Sequence, residues 1–467
     1  MLSFPFTPLS PPKESSLSSL MARAIELFQK ERREEALALF HQVLKQDPKH
    51  GRAHMYGAII GSQLGQKEVT RYHLKESLIH GKNDAQIHYN GGIILGHEGD
   101  LLRALEAHKR AALLDPSFAD AFNNAGFILW SLGRHQESFE FLTRAIGLNP
   151  NHDKAHYSRA EILLLWGDLE VGFKEYEWRW QHELMPPRSF EKPLWEGQPL
   201  QGKTLLLYEV DNFGHGDQLH FIRYAGLLKE MGAQVMVECS PEILPLFQEV
   251  PFIDVVFSRG GNTLPFYDYR LPFLSLPCAF KTNLTTIPFS SSYIQAPSLQ
   301  IPLPPHPQVP SPRLRVGLVW AGNPGHLNDK LRSMPLAALS PLFQHQDIAF
   351  YSVQHGEAAS QIHKEGWTGK IVDLSPALVD FKATASLISQ MDLVITVDTA
   401  VAHLCGSMGK PVWIFLCHPP EWRWLLDRSD SPWYKSARLF RQSTIGDWKG
   451  PVNKVCALLS QSPIGTG

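Results

Sequence analysis

The chain is predicted to be an all-α solenoid of paired helices followed by an α/β region built as two doubly wound halves. Three observations predict that order: glycines at one fixed interval through the first third, a change near residue 200 from helical periodicity to short β-branched runs, and a proline-rich stretch that cuts the second pattern in two. At 467 residues the chain exceeds one ordinary core, so several packed units are expected.

The repeats come first. Gly65, Gly99, Gly133 and Gly167 stand 34 residues apart, with Pro116 and Pro150 at the same interval and Pro48 in phase. That is the tetratricopeptide period. In the best copy, "AFNNAGFILWSLGRHQESFEFLTRAIGLNP", Gly126 and Ala145 sit where two antiparallel helices approach closely, Gly133 turns the chain, and Pro150 ends the second helix. The neighbouring copy repeats this with Gly92, Gly99, Ala104, Ala111 and Pro116. The flanking copies are weaker, with Lys82 in place of the proline and Ala58 and Ala160 in place of the first glycine. We therefore expect a disordered N-terminus over residues 1–16. An array over 17–183 follows, with three to four repeats and a closing half repeat ending near "YEWRW". Such arrays stack into a superhelix with a concave binding surface.

Asn90 and Asn124 each stand two residues before the first-helix glycine. On neighbouring helices they are candidates to line the concave face and hold an extended peptide by amide hydrogen bonds, or simply to cap and solvate helix surface. His54, His88 and His156 share one repeat register, where packing is the expected role and a metal is not.

Beyond "EKPLWEGQPLQGK" come "TLLLYEV", "QVMVEC" and "DVVF", which read as parallel strands buried on both faces. The pattern restarts after the proline-rich stretch with "LRVGLVWAG", "IAFYSVQ", "KIVDL", "LVITV" and "VWIFL". The expected divisions are a first half over 200–296, a linker over 297–313 and a second half over 314–460. In open parallel sheets ligands sit at the carboxyl ends of strands, so function is expected in the loops that follow them.

Three such loops carry candidate chemistry. After the first strand, "DNFGHGDQLHFIRY" offers Gly214 and Gly216 for a tight turn and Asp217 at a helix start. It lacks a third glycine and a placed ribose-binding acid, which argues against a nicotinamide site. In "VWAGNPGHLNDKLRSMPL", Asn323, Lys330 and Arg332 follow a strand, suited to phosphate oxygens or to an ordinary solvated loop. In "LVITVDTAVAHLCGSMG", Asp398 ends a strand and Thr399 is placed to cap a helix, leaving the amides of Ala400, Val401 and Ala402 for a diphosphate. His403, one turn in, is a further phosphate donor or a satisfied core histidine.

Composition excludes other classes. Forty-four basic against 46 acidic side chains give a net charge of -2, so no basic field points to nucleic acid. The five cysteines are scattered without a C-x-x-C, which predicts neither disulfides nor a zinc knuckle and favours a reducing, cytoplasmic compartment. No stretch reaches the roughly 18 apolar residues of a membrane span.

Across residues 200 to 460, the motifs "GHGDQLHFIRY", "LPFLSLPCAFKTNLTTIP", "VGLVWAGNPGHLNDKLRSMPL", "DLVITVDTAVAHLCGSMGKPVW" and "EWRWLLDRSDSPWYKSARLFRQ" resemble bacterial tetratricopeptide glycosyltransferases related to glycosyltransferase family 9, the heptosyltransferases. The asparagine pair likewise resembles the ladder in the repeat arm of the O-linked N-acetylglucosamine transferases. The resemblance implies a GT-B fold, two Rossmann-like domains facing a cleft. The nucleotide sugar would be held by the second half and the acceptor by the first. It implies inverting transfer without a metal ion and without a cofactor beyond the donor substrate.

Carried onto this chain, the resemblance makes Asp217 the candidate general base and Lys330 and Arg332 diphosphate contacts. The segment from Asp398 to His403 becomes the donor loop, with Ala400 where relatives have glycine, and Glu357 is a candidate for the nucleotide ribose. The chain departs from relatives at Asn212 to Gln218, where they carry E-Q-G-x-G-D-T, so the acceptor side is altered. There His215 and His220 are candidate acid or base groups or packing residues, with His215 assigned to the acceptor. Trp422 and Trp424 are candidates for stacking on a sugar or base, or for closing a seam between domains. The expected partners are a nucleotide sugar and a protein acceptor docked on the repeats, for instance a surface or flagellar protein. A homo-oligomer is compatible with this. The alternatives are transfer to a glycan or lipopolysaccharide, and a non-catalytic adaptor with a degenerate transferase half.

Overall fold

The protein is described from a computed structural model that covers Phe6 and residues 16–181, 188–209, 214–260, 264–326 and 328–461. The N-terminal stretch expected to be disordered, apart from Phe6 and Ser16, lies outside the described residues, as do Asn212 and Phe213. The chain forms two units, Met1–Ile162 and Leu163–Gly467.

In the first unit the helices come in pairs: Ser16–Gln29 with Arg33–Gln46, Gly51–Gln63 with Lys67–His80, Ala85–His97 with Leu101–Leu114, and Ala119–Ser131 with His135–Leu148. Helices of 13 or 14 residues are marginal alone in water, so burial between neighbours has to stabilise them. Small residues allow that burial. A Cβ added at Gly126 would stand 2.8 Å from Leu142, and one at Gly92 would stand 2.6 Å from His108 Nε2. The turns between paired helices need a left-handed residue, supplied by Gly65, Gly99 and Gly133 at φ 69°, 84° and 73°.

The histidines in shared register have one role. Nε2 of His54, His88 and His156 lies 3.1, 3.0 and 3.0 Å from the carbonyl oxygens of Pro48, Lys82 and Pro150, each six residues earlier. A carbonyl only accepts, so each Nε2 carries its proton and closes the turn that leads into its helix. This local contact explains the register without a ligand.

The second unit holds two all-parallel sheets. The first contains β1 (Thr204–Tyr208), β2 (Gln234–Cys239), β3 (Val255–Ser258) and β4 (Tyr269–Pro272), in the order β3-β2-β1-β4. The second contains β5 (Leu314–Val319), β6 (Ile348–Ser352), β7 (Ile371–Asp373), β8 (Leu393–Val397), β9 (Val412–Leu416) and β10 (Ala437–Arg441), in the order β10-β9-β8-β5-β6-β7. Strands β6, β8 and β9 are buried throughout, as their unbroken apolar runs require. The sequence does not anticipate β4 and β10. Both are edge strands carrying arginines, Arg270 and Arg438, which weakens the apolar signal.

In each sheet the chain moves outward on one side of the first strand and then returns to its other side. Crevices therefore open at the carboxyl ends of β1, β5 and β8. The proline-rich connection is fastened rather than loose. Ser298 donates through N–H and Oγ to Glu249 of the first half, and the Ile301 N–H donates to Ser386 Oγ of the second at 2.9 Å.

Candidate functional site

Strand β1 delivers Glu209 to the crevice, and the helix His215–Phe221 starts behind Gly214. Asp217 closes the first turn of that helix, its Oδ2 accepting the Gly214 N–H at 3.1 Å. Next to it, Gln218 is buried and ties the strand ends together. Its Nε2 donates to Ser240 Oγ at 2.5 Å, its Oε1 accepts the Ser240 N–H at 3.1 Å, and Ser240 Oγ donates to Glu209 Oε2 at 3.2 Å. Withdrawal from water raises the Glu209 carboxyl to about 7, with the Asp217 charge adding to the rise and hydrogen bonds from Gln218 and Ser240 opposing it.

From the second half, β8 ends at Asp398 and the helix Ala400–Ser407 begins behind Thr399. Thr399 occupies the N-cap position with extended backbone, but its hydroxyl turns to Thr396 Oγ1 at 3.2 Å and caps no amide. The Ala402 N–H donates to the Thr399 carbonyl at 3.0 Å, so of the three amides expected to await a ligand this one is taken. This helix packs against His215–Phe221 from the first half, and Gly216 makes the approach possible. A Cβ there would meet His403 Cδ2 at 2.9 Å and Ala400 Cα at 3.7 Å. Glycine at 216 is therefore a packing requirement as well as a turn.

His403 is not displayed to the crevice as a phosphate donor. It is 6% exposed, its ring stacks on Trp424 at 5.4 Å, and its Nδ1 lies 2.9 Å from Tyr434 Oη. The same hydroxyl lies 2.8 Å from Nδ1 of His220. A phenol donates once, so at least one of the two Nδ1 atoms carries a proton. Burial, with Arg223 and Arg423 nearby, holds both histidines well below their ordinary range, so both are neutral. Arg223, fully buried, donates to the carbonyls of His220 and Trp433 at 2.8 and 2.9 Å and lies against the faces of Tyr293 and Tyr434. The helix packing that encloses His403 and His220 makes them seam residues.

Charged groups from four segments converge above this seam. Arg423 donates to Asp217 Oδ1 and to Glu421 Oε1 and lies over the Trp422 ring. Withdrawal from water raises both Asp398 and Glu421, against the pull of Arg332 on the first and Arg423 on the second. Partial burial and Arg332 lower His326, while Asp398, Asp329 and Asp217 oppose them. Arg332 lies close over the Gly322 backbone, where an added Cβ would meet its Nη2 at 2.7 Å, and its buried Nε has no hydrogen-bond partner. Arg332 and Arg423 both attract Asp398, and His326 lies within reach of the Arg332, Asp398 and Asp217 charges, so charges from these three loops share one region.

The other sequence candidates lie further out. Lys330 is exposed on the short helix Asp329–Arg332. Asn323 is exposed, and its Oδ1 accepts the Gly325 N–H at 2.9 Å. Glu357 is exposed at the start of the turn after β6. His215 faces Glu242 at 3.4 Å and Phe381 edge-on. Trp422 and Trp424 are buried. Trp422 packs edge-on with Phe173 and Trp433, so these tryptophans close a seam. Four residues that sequence reasoning missed are Glu209, Glu421, Arg423 and Gln354. Gln354 accepts the Trp320 and Ala321 N–H groups at 3.0 and 2.9 Å and so holds the start of the Asn323 loop.

In the first unit Asn90 and Asn124 do not line an open groove. They are 0% and 1% exposed, because the close helix approach at Gly92 and Gly126 encloses them. Asn123 Nδ2 donates to Asn124 Oδ1 at 3.0 Å. Among the described residues no group of three or more His, Cys, Asp or Glu side chains is arranged to hold a metal, and no helix is long and apolar enough to cross a membrane.

Comparison with known proteins agrees with this geometry. Residues 339–430 match glycosyltransferase family 9 (heptosyltransferase), and residues 21–68 and 119–152 match tetratricopeptide repeats. Protein FlbA of Caulobacter vibrioides is 24% identical over 398 residues, covering 79% of this chain; the chain spans 66% of the length of FlbA. BBSome complex member BBS4 of Bos taurus is 28% identical over 80 residues, 17% of this chain and 15% of that protein. The crystal structure of MamA aligns at 20% identity and a TM-score of 0.31 over 34% of this chain and 92% of MamA. The helical pairs, the two parallel sheets, the family matches and the likeness to FlbA together make this chain a tetratricopeptide-repeat protein with a glycosyltransferase family 9 domain of GT-B type, and a distant homologue of FlbA.

Proposed function

We propose that the second unit transfers a glycosyl group from a nucleoside-diphosphate sugar to an acceptor hydroxyl, with inversion and without a metal ion, in the cytoplasm. The acceptor is a protein docked on the repeats. The observation that supports this most is the attraction of Arg332, on the helix Asp329–Arg332 that follows β5, for Asp398 at the carboxyl end of β8, beside the start of the helix Ala400–Ser407. In this reading Arg332, Lys330 and the amides behind Thr399 and Ala400 take the diphosphate. Asn323 and Asp398 take sugar hydroxyls, and Glu357 takes the ribose. The leaving diphosphate gains negative charge as the glycosidic bond breaks, and fixed cations stabilise that charge where it forms. Asp217, in the first turn of the helix His215–Phe221, accepts the acceptor's proton, and His215 flanks the acceptor.

Calorimetric titration of UDP, GDP, ADP and dTDP into the full chain tests the donor site. One of them is expected to bind, and Arg332→Ala to weaken it at least tenfold, about 1.4 kcal/mol. Failure of all four to bind overturns the reading. Turnover on a glycan but on no protein would replace the acceptor assigned here.

A further inference from the structure

We propose that Phe173 and Tyr176, in the closing half repeat, are positioning residues for the transfer reaction: they fix Trp422, Trp422 fixes Arg423, and Arg423 holds Asp217. The proposal rests on the glycosyl-transfer reading above and adds to it the residues that aim its base.

The helix Leu169–Tyr176 belongs to the same compact unit as the two sheets. The last helix of a free-standing array turns a polar face to water. Here Leu169, Phe173 and Tyr176 form one helical stripe, and all three are buried. The rings of that stripe meet the transferase region. Phe173 stands edge-on to Trp422 and Trp433, with ring centres at 5.4 and 6.3 Å, and the Tyr176 ring lies 6.5 Å from that of Trp422.

The turn that follows the helix, Glu177–Gln181, is fastened to the first half. Arg179 is buried, pairs with Glu177 Oε1 at 2.7 Å and donates to the Tyr176 carbonyl at 2.9 Å and to Ser275 Oγ at 2.7 Å. The Ser275 hydroxyl donates to Glu177 Oε2 at 2.8 Å, and Trp180 Nε1 donates to the same oxygen at 2.9 Å. Ser275 ends the turn Phe273–Ser275, which packs against the helix His215–Phe221 that carries Asp217. The half repeat therefore touches the first half at Ser275 and the second at Trp422.

Trp422 matters for what lies on it. The Arg423 guanidinium stands 4.2 Å from the centre of the Trp422 ring and 5.5 Å from that of Phe221. From there it donates through Nη2 to Asp217 Oδ1 and through Nη1 to Glu421 Oε1. A guanidinium is a rigid planar fork, so the rings that set its plane also set the direction of its N–H groups. A smaller side chain at 173 or 176 leaves a gap beside Trp422, into which that ring and the cation on it shift. Misplacing Asp217 against the acceptor hydroxyl costs rate. It spares donor affinity, which lies with the Arg332 and Asp398 loops.

The test uses the full chain. Nucleoside diphosphate release is followed with whichever UDP-, GDP-, ADP- or dTDP-sugar the wild type consumes, and binding of the matching nucleoside diphosphate is followed by calorimetry. Phe173→Leu and Tyr176→Leu should each lower kcat about tenfold and leave the donor KM and the Kd within about twofold. Retained binding shows that the chain has folded around its donor site, so the lost turnover belongs to the base. Arg423→Lys keeps the charge, loses the fork and should fall at least as far. Adding Phe173→Leu to it should then cost less than about a further twofold, because the route through which Phe173 acts is already cut. Losses that multiply overturn the proposal, since a defect of packing alone adds to any other. Wild-type kcat in both leucine variants also overturns it and leaves glycosyl transfer intact. Where Phe173→Leu does not fold, Tyr176→Leu decides by the same two comparisons. A wild type silent with every donor overturns glycosyl transfer, and this proposal with it.

Discussion

Arg423 and Asp217 lie 206 residues apart in the chain and form an ion pair that joins the two halves of the transferase region. Arg423 also holds Glu421, so one buried cation serves two carboxylates. Arg423→Met leaves both without their counter-charge and should cost about 3 to 5 kcal/mol, seen as a lower urea midpoint. A loss below about 1 kcal/mol would show that the pair is exposed in solution.

Gly216 and His403 make a second cross-half contact that is all shape. Gly216→Ala places a methyl group 2.9 Å from the His403 ring, so the ring or a helix has to shift, at about 1 to 3 kcal/mol. The penalty should shrink when His403→Ala is added, because the clashing ring is gone. A double-mutant cycle by urea denaturation measures the coupling, and additive effects would mean that the two residues do not meet.

The repeats should be acid-sensitive. Burial lowers His73 to about 4, helped by His54 and His41, and lowers His108 to about 3. The unfolded chain therefore binds protons below its ordinary histidine value of about 6.5 that the fold refuses. Stability is fully present above that pH and falls as pH drops towards 4, by about 2 kcal/mol per buried histidine at pH 5. Leu142 fills against Gly126 the place that His108 fills against Gly92, so His108→Leu should fold and flatten the dependence. Urea midpoints at pH 7.5 and pH 5 test this, and an unchanged slope in His108→Leu would refute it.

The helical pairs were legible because turn glycines recur every 34 residues, a local requirement at each repeat. Strands β6, β8 and β9 were legible because burial on both faces writes a run of apolar residues. Asp217, Asp398 and Arg332 were legible as loop residues after such strands. Asn90 and Asn124 were misread as groove residues because a helix position does not reveal which neighbour covers it. Glu209 was passed over because one acid after a strand looks like any other until its burial is seen.

By itself, then, the sequence determined the order of architectures, the strands with two buried faces and the loops that hold the chemistry, since each depends on residues close along the chain. Only the tertiary structure decided which groups act on which. The meeting of two helix starts at Gly216 brings Arg423 to Asp217 and encloses His403 beneath Tyr434. Proton affinity depends on burial and on charges from distant segments, and those distances exist only after the halves have packed.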